Sequence, residues 1–495
     1  MALAAPCSRL VLLVKHKYLC SFRKTCVLFS TNDTCLADQR KPPSKTFRTK
    51  CHKKPPWTED RSWEERLADV VTPLWRLGYE EQLELKQSHQ LKILSQLSRH
   101  LEDDFQSPSS LPARGEPSFP VLSILPSPVR DGYRNKSSFS VNRGADGNPK
   151  TVGFYVGTAR QGNIVCVSGD HLLNMPEKHT LVARCYQDFI RLSPLEPCLL
   201  FHTGGHWREV TVRTNREGHT MAIVYFHPQT LNPEEVAVHK AHLVDYFTRG
   251  PGSVCQLDSL FFQESHMTRC THEESPYQLL HGRPHIYEEV LGFKFRISAD
   301  AFFQVNQPAA EVLYGTVRDL CVPNTEEGGG RTKVGSTLLD VCCGTGAIGI
   351  TTSPRVDRVI GIELIEQAVE DARHNAAFND ALNCEFVPGK AEAVLPGLMS
   401  QLSSTGGGLT AVVNPARAGL HHRVVRALRN QPSIRRLVYV SCKPDGEAMR
   451  NFRELCCVPG VQTKLTGEAF SPTLAVPVDM FPHTPHCELV LLFER

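Results

Sequence analysis

The stretch Leu338 to Ile350, LLDVCCGTGAIGI, constrains this chain more than any other. An apolar strand runs into a loop of small residues and then into a helix, with Gly344, Gly346 and Gly349 in the spacing GxGxxG. Glu363 closes the next apolar run, VIGIE, at about the 20-residue distance of a ribose-binding acid. From about residue 291 onward strands and helices alternate: LLDVCC, VIGIEL, CEFVPGK, TAVVNPA, LVYVSC and finally CELVLLFE, with helical stretches such as IEQAVEDARHNAAFND between them. That alternation predicts an α/β, Rossmann-like doubly wound sheet over 291–495 with its ligand at the carboxyl ends of the strands. The last strand is expected to join it antiparallel.

A single core seldom exceeds ~250–300 residues, so 495 residues imply two or three domains. Residues 121–290 show β-type runs separated by Gly, Asn and Asp in hairpin fashion, such as SSFSVNRGADGNPKTVGFYVG. They predict a mixed, largely antiparallel α+β domain. Before it, residues 56–120 read as a helical segment and linker, with Leu91, Leu94, Leu97 and Leu101 spaced for one packing face. Residues 1–55 form a basic leader: up to residue 54 it has twelve Lys or Arg against two acids, Asp33 and Asp38. A basic, acid-poor leader of this kind points to a mitochondrial transit peptide and the matrix, with a basic RNA-touching tail as its other reading.

No uncharged apolar run reaches the ~18 residues of a membrane-spanning helix, so no membrane segment is expected. The chain has eighteen cysteines but no CxxC pair, so a metal centre is not expected either.

The glycine loop admits two ligands, a dinucleotide or S-adenosylmethionine. Asp340 sits four residues ahead of Gly344, where a carboxylate facing the loop would suit a sulfonium and repel a pyrophosphate. That charge argument favours S-adenosylmethionine over a dinucleotide-dependent oxidoreductase. Arg130, Arg134, Lys136 and Arg143 lie near Tyr133 and Phe139, which is consistent with a basic, aromatic-bearing surface for single-stranded nucleic acid.

Four ordered motifs narrow the reading further: ISADAFFQVN before the glycine loop, VVNPARAGLH after strand four of the sheet, VYVSCKP after strand five, and HTPHCE before the last strand. Together they resemble the tRNA and rRNA uracil-5-methyltransferases, from about Thr72 through GYRNK to the C-terminus. The resemblance implies a class I S-adenosylmethionine-dependent methyltransferase domain acting on uridine C5 in RNA, at a tRNA T-loop uridine or a structured rRNA uridine. The basic leader points to a mitochondrial member.

The chemistry requires nucleophile and base. Uracil C5 is a poor nucleophile until a thiolate adds to C6, and the C5 proton must leave before that thiolate is expelled. By the resemblance Cys442 is the nucleophile, its thiolate favoured by the neighbouring Lys443, and Glu488 is the base. Gln304, Asp340, Gly344, Glu363 and Asn414 are the expected cofactor-side residues; Gln304 also reads as a helix cap. Arg134, Lys136, Phe302 and Arg417 are the expected RNA contacts, with Phe302 equally readable as core.

One departure stands out. Where the family has DPPR, this chain has Asn414, Pro415, Ala416, Arg417, which loses a negative charge. Asn414 therefore leaves open a second reading, an RNA-binding or RNA-folding factor that retains the fold. An RNA cytosine C5-methyltransferase would carry its cysteine just after the strand-four proline, where Ala416 stands.

Overall fold

A computed structural model describes residues 61–105, 116–157, 164–199, 204–266, 275–322, 335–402, 408–460 and 464–495. The basic leader lies outside the described residues.

The first sheet takes β1 (Lys136–Asn142), β2 (Thr151–Val156), β3 (Val165–Val167), β4 (Trp207–Thr214), β5 (Thr220–Phe226), β6 (Ser259–Glu264) and β7 (Gln278–Gly282) in the order β3-β2-β1-β4-β5-β6-β7. Every pairing in it is antiparallel except β5 with β6. Helices Trp63–Val71, Glu177–Leu192 and Pro233–Thr248 cover one face through a core that includes Tyr186, Phe189, Trp207 and Phe226. A short hairpin of β8 (Ile286–Val290) and β9 (Phe293–Ile297) leads out of this domain. The core that Phe295 and Ile297 enter also contains Met221, Ile223 and Phe261 of the first sheet, so the two halves share buried apolar surface.

The second sheet takes β10 (Thr337–Val341), β11 (Arg358–Glu363), β12 (Cys384–Pro388), β13 (Leu409–Val413), β14 (Ile434–Ser441), β15 (Ser471–Val478) and β16 (Glu488–Glu494) in the order β12-β11-β10-β13-β14-β16-β15. The first five strands are parallel, and β16 runs antiparallel between β14 and β15. Side chains alternate between two cores: Leu338, Val438, Val440, Val490 and Leu492 point to one, and Leu339, Leu437, Tyr439, Leu489 and Leu491 to the other. Burial on both faces is why these strands read as continuous apolar runs.

Helix Tyr79–Phe105 joins the second of those cores through Leu94, Leu97 and Leu101, while Leu91 is half-buried. At on the order of 1.5–3 kcal/mol for each buried leucine, the contact anchors this N-terminal helix to the methyltransferase sheet.

One strand escaped the sequence reading. β15 carries Pro472 and Pro477, which lack a donor and argue against a strand. The structure accommodates Pro477 by leaving only its carbonyl to the neighbouring segment: Leu125 donates to it at 2.9 Å, while Leu122 donates to Ala475 and Ala475 to Pro120. The segment around 120–125 thus runs along the outer edge of β15.

Candidate active site

The strand order reverses between β10 and β13, and the loops that leave their carboxyl ends form the site. After β10 the chain turns through Cys342, Gly344 and Gly346, all at positive φ (64°, 56° and 82°), before helix Ala347–Thr352. A Cβ on Gly344 would meet nothing within 4 Å, so this side of the loop is open. A Cβ on Gly346 would sit 2.8 Å from the Phe386 ring. Gly346→Ala is therefore expected to combine left-handed backbone strain of roughly 1–2 kcal/mol with a clash. Calorimetric titration should show weakened cofactor binding, and a melting curve should show a lowered midpoint.

Glu363 ties this loop to the end of β11. One carboxylate oxygen accepts from the Gly344 N–H at 3.0 Å, and the other from Leu364 and Ile365 at 2.8 and 3.0 Å. Asp340 does not face the ligand as the charge argument expected. It shares a strand face with Leu338, which puts it beneath helix Ala347–Thr352, fully buried. There Oδ2 accepts from the Gly349 N–H at 3.0 Å, and Oδ1 has no partner. Burial, helped by Glu363, pushes its carboxyl up to about 7 against the Gly349 hydrogen bond. Asp340 holds the loop from below, and Glu363 is the acid at its mouth. With Asp340 turned away beneath the loop, its charge does not separate the two ligands, and Glu363 at the mouth suits the ribose of either.

Gln304 lies buried in the irregular segment 301–304, its carbonyl accepting from Asn135 Nδ2 at 2.8 Å. The helix cap is not Gln304 but Asn306, whose Oδ1 accepts from Ala309 N at 3.2 Å at the start of helix Gln307–Cys321. Asn135 also donates from its backbone to Val305 at 2.8 Å, and Arg213 donates to the Ala301 carbonyl. The antiparallel domain thereby holds the AFFQVN segment in place.

Phe302 projects from that segment 69% exposed and is not core, whereas Phe303 is buried against Phe295. The aromatic surface expected near GYRNK is not there. Tyr133 and Phe139 are buried, and the Tyr133 hydroxyl donates to the Pro482 carbonyl at 3.2 Å. Arg134 is half-buried, with Nε donating to the Lys136 carbonyl at 3.2 Å, and Lys136 opens β1, half-buried too.

Asn414 follows β13, half-buried, with its N–H donating to the Val341 carbonyl at 3.2 Å. Cys442 follows β14, and Glu488 opens β16. The antiparallel register pairs Val440 with Val490 and Ser441 with Leu489. Cys442 and Glu488 therefore both adjoin the Ser441–Leu489 pair that ends the ladder, and Glu488 acts electrostatically on the Cys442 thiol. Glu488 is only 5% exposed, and burial pushes its carboxyl up to about 7, opposed by the Arg417 guanidinium.

Two expectations about Cys442 are corrected. The cation acting on its thiol is Arg417, three residues beyond Asn414, and not its chain neighbour Lys443, which is exposed. Nor does a cation prevail at the thiol: burial first, and Glu488 second, push it above its ordinary range despite a hydrogen bond with Arg417. Arg417 is exposed, hydrogen-bonds the Cys442 thiol and acts electrostatically on Glu488, a placement that sequence adjacency does not reveal.

Among the described residues no group of three or more His, Cys, Asp or Glu is placed to hold a metal, and no helix is long and apolar enough to cross a membrane.

Residues 338–431 match the family model of a methyltransferase domain. The chain is 66% identical over 468 residues to the Danio rerio tRNA (uracil-5-)-methyltransferase homolog B, covering 94% of this chain and 93% of that one. It is 58% identical to the Homo sapiens homolog B over 88% of this chain and 85% of that one, and 44% identical to the Mus musculus homolog A over 87% and 69%. Among solved structures, the Pyrococcus abyssi tRNA (uracil-54, C5)-methyltransferase in complex with S-adenosyl-L-homocysteine shares the fold, with a TM-score of 0.59 at 24% identity over 85% of this chain and 84% of that one. This chain is an S-adenosylmethionine-dependent methyltransferase and belongs to the tRNA (uracil-5-)-methyltransferase family.

Proposed function

We propose that the protein methylates uridine C5 in RNA, with the T-loop uridine of mitochondrial tRNA as its principal target and a mitochondrial rRNA uridine as a further one. The observation that carries the reading is the closeness of a half-buried thiol, Cys442, and a buried carboxyl, Glu488: they flank the Ser441–Leu489 pair that ends the β14–β16 ladder, Glu488 acts on the thiol electrostatically, and the Arg417 guanidinium acts on both. The mitochondrial part rests on the basic leader, with its twelve Lys or Arg against two acids.

The loop from Cys342 to Gly346, Glu363 and Gln304 would hold S-adenosylmethionine, which supplies an electrophilic methyl group when bound. The protein's own work is on the uracil. Cys442 gives its proton to solvent and adds to C6 as the thiolate, and the C5=C6 electron pair shifts into an enolate over C5 and the C4 oxygen, which makes C5 electron-rich. Because burial keeps the thiol protonated at rest, Arg417 has its role here, stabilising the thiolate as it forms. After methylation Glu488 takes the C5 proton, the ring double bond re-forms and the sulfur leaves. Phe302, exposed beside the cofactor segment, offers a stacking platform for a base of the unstacked loop. Asn414 retains an acceptor oxygen for the uracil N3–H. The nearness of Cys442 to Glu488, kept despite the missing Asp charge, supports catalysis over a purely RNA-binding role.

The test is covalent trapping with purified protein, S-adenosylmethionine and a T-arm RNA containing 5-fluorouridine. Fluorine at C5 cannot leave as a proton, so the protein should stall with its sulfur on C6 and migrate as a shifted band on a denaturing gel. RNA binding without a shifted band would refute the reading.

A further inference from the structure

The turn between β15 and β16, residues 479–487, delivers Glu488 to the site, and it is held from several distant parts of the chain. Four consecutive carbonyls each receive a donor. Met480 accepts from Asn306 Nδ2 at 3.1 Å, Phe481 from Lys86 Nζ at 3.0 Å, Pro482 from the Tyr133 hydroxyl at 3.2 Å, and His483 from Leu74 N at 3.0 Å. His483 sits at φ 66° with its N–H donating to Gln82 Oε1 at 2.7 Å, and its Nε2 lies 2.7 Å from Asp131 Oδ1.

At the root of the turn is an ion pair sealed from solvent. Lys86 Nζ lies 2.6 Å from Asp479 Oδ1, with both side chains fully buried. The Tyr79 hydroxyl donates to Asp479 Oδ2 at 3.0 Å and accepts from Ser127 N at 2.8 Å, and the Phe481 N–H donates back to Asp479 Oδ1 at 3.1 Å. Asp479 directly follows Val478, the residue paired with Glu488 across β15 and β16. A buried pair of this kind adds little net stability over an apolar substitute, but it tolerates only one arrangement of its partners.

We propose that Lys86 and Asp479 are positioning residues for Glu488: the pair locks the β15–β16 turn to the N-terminal helix and so sets the rate of C5 proton removal. The inference rests on the reading of Glu488 as the base. The step it controls is defined: the C5–H bond breaks, the proton goes to the Glu488 carboxylate, its electron pair forms the C5–C6 double bond, and the C6–S bond breaks with Cys442 leaving as thiolate. Cys442 addition and methyl transfer lie upstream, on loops that Lys86 does not touch.

The experiment uses the full chain with two variants, Lys86→Met and the double variant Lys86→Met with Asp479→Asn; the second leaves no unpaired buried charge if the first fails to fold. Each is given S-adenosylmethionine and a T-arm RNA with ordinary uridine, tritiated at C5. Tritium release and the covalent band are followed in a single turnover, and a parallel arm with 5-fluorouridine RNA is run for the wild type. The expected result is tritium release slowed tenfold or more, a methylated covalent adduct that persists on ordinary uridine RNA, and unchanged affinity for S-adenosylmethionine. Release that slows without an adduct, release that does not slow, or a double variant that is itself unfolded would each overturn the positioning role. A wild-type chain that forms no adduct with 5-fluorouridine RNA would instead overturn the underlying reading, and the inference with it.

Discussion

Cys442→Ala is expected to abolish methyl transfer, by on the order of 10⁴-fold or more, the scale of loss when a covalent nucleophile is removed. S-adenosylmethionine binding should be unchanged, because Cys442 follows β14 whereas the glycine loop and Glu363 follow β10 and β11. The size of the effect follows from the substrate: without sulfur on C6, uracil C5 has no electron density to attack a methyl group. The variant should fold, since the lost atom belongs to a half-buried residue and leaves no large internal cavity. Methyl incorporation from labelled S-adenosylmethionine, alongside calorimetric titration of the cofactor, checks both halves. Turnover at the wild-type rate, or a surviving band with 5-fluorouridine RNA, would remove Cys442 from its role.

The methyltransferase sheet was legible because its strands are covered on both faces and read as apolar runs, each ending at a residue that the proposed chemistry uses: Gly344 after β10, Glu363 at the end of β11, Asn414 after β13, Cys442 after β14. Even the antiparallel last strand was legible, as a run following HTPH. β15 was not, because Pro472 and Pro477 mask a strand whose outer neighbour is an irregular segment 350 residues earlier. Electrostatic neighbours were the least visible part. Lys443 is next to Cys442 in the chain, but the thiol meets Arg417 from the loop after β13, because parallel strands bring their carboxyl ends together. Burial decided the rest, and one sequence gives little warning of it. Tyr133 looks like a stacking ring and is internal, Phe302 reads equally as an RNA contact or as core and is exposed, and Asp340 points beneath the loop it was expected to line. Lys86 and Asp479, 393 positions apart, left no local signal at all.

Glu488→Gln is expected to separate methyl transfer from release. Glutamine fills the same volume beside β15 and can still accept a hydrogen bond, but it cannot take a proton, so the methylated adduct should accumulate on ordinary uridine RNA where the wild type shows only a transient. The wild type should approach that behaviour in acid. Burial lifts the Glu488 carboxyl to about 7, and only its ionised form is a base, so decay of a preformed adduct should quicken as pH rises through about 7 and level off above it. Adduct formation has a different profile: it depends on the Cys442 thiol, whose titration burial moves above its ordinary range, so it should keep rising at higher pH. The two steps can therefore be resolved by forming the adduct at one pH and jumping to another. Decay indifferent to pH, or equally fast in the glutamine variant, would assign proton removal to another group. Decay that tracks a titration near 7 in the wild type and is lost in Glu488→Gln would tie the base to the buried carboxyl that opens β16 beside the Cys442 thiol.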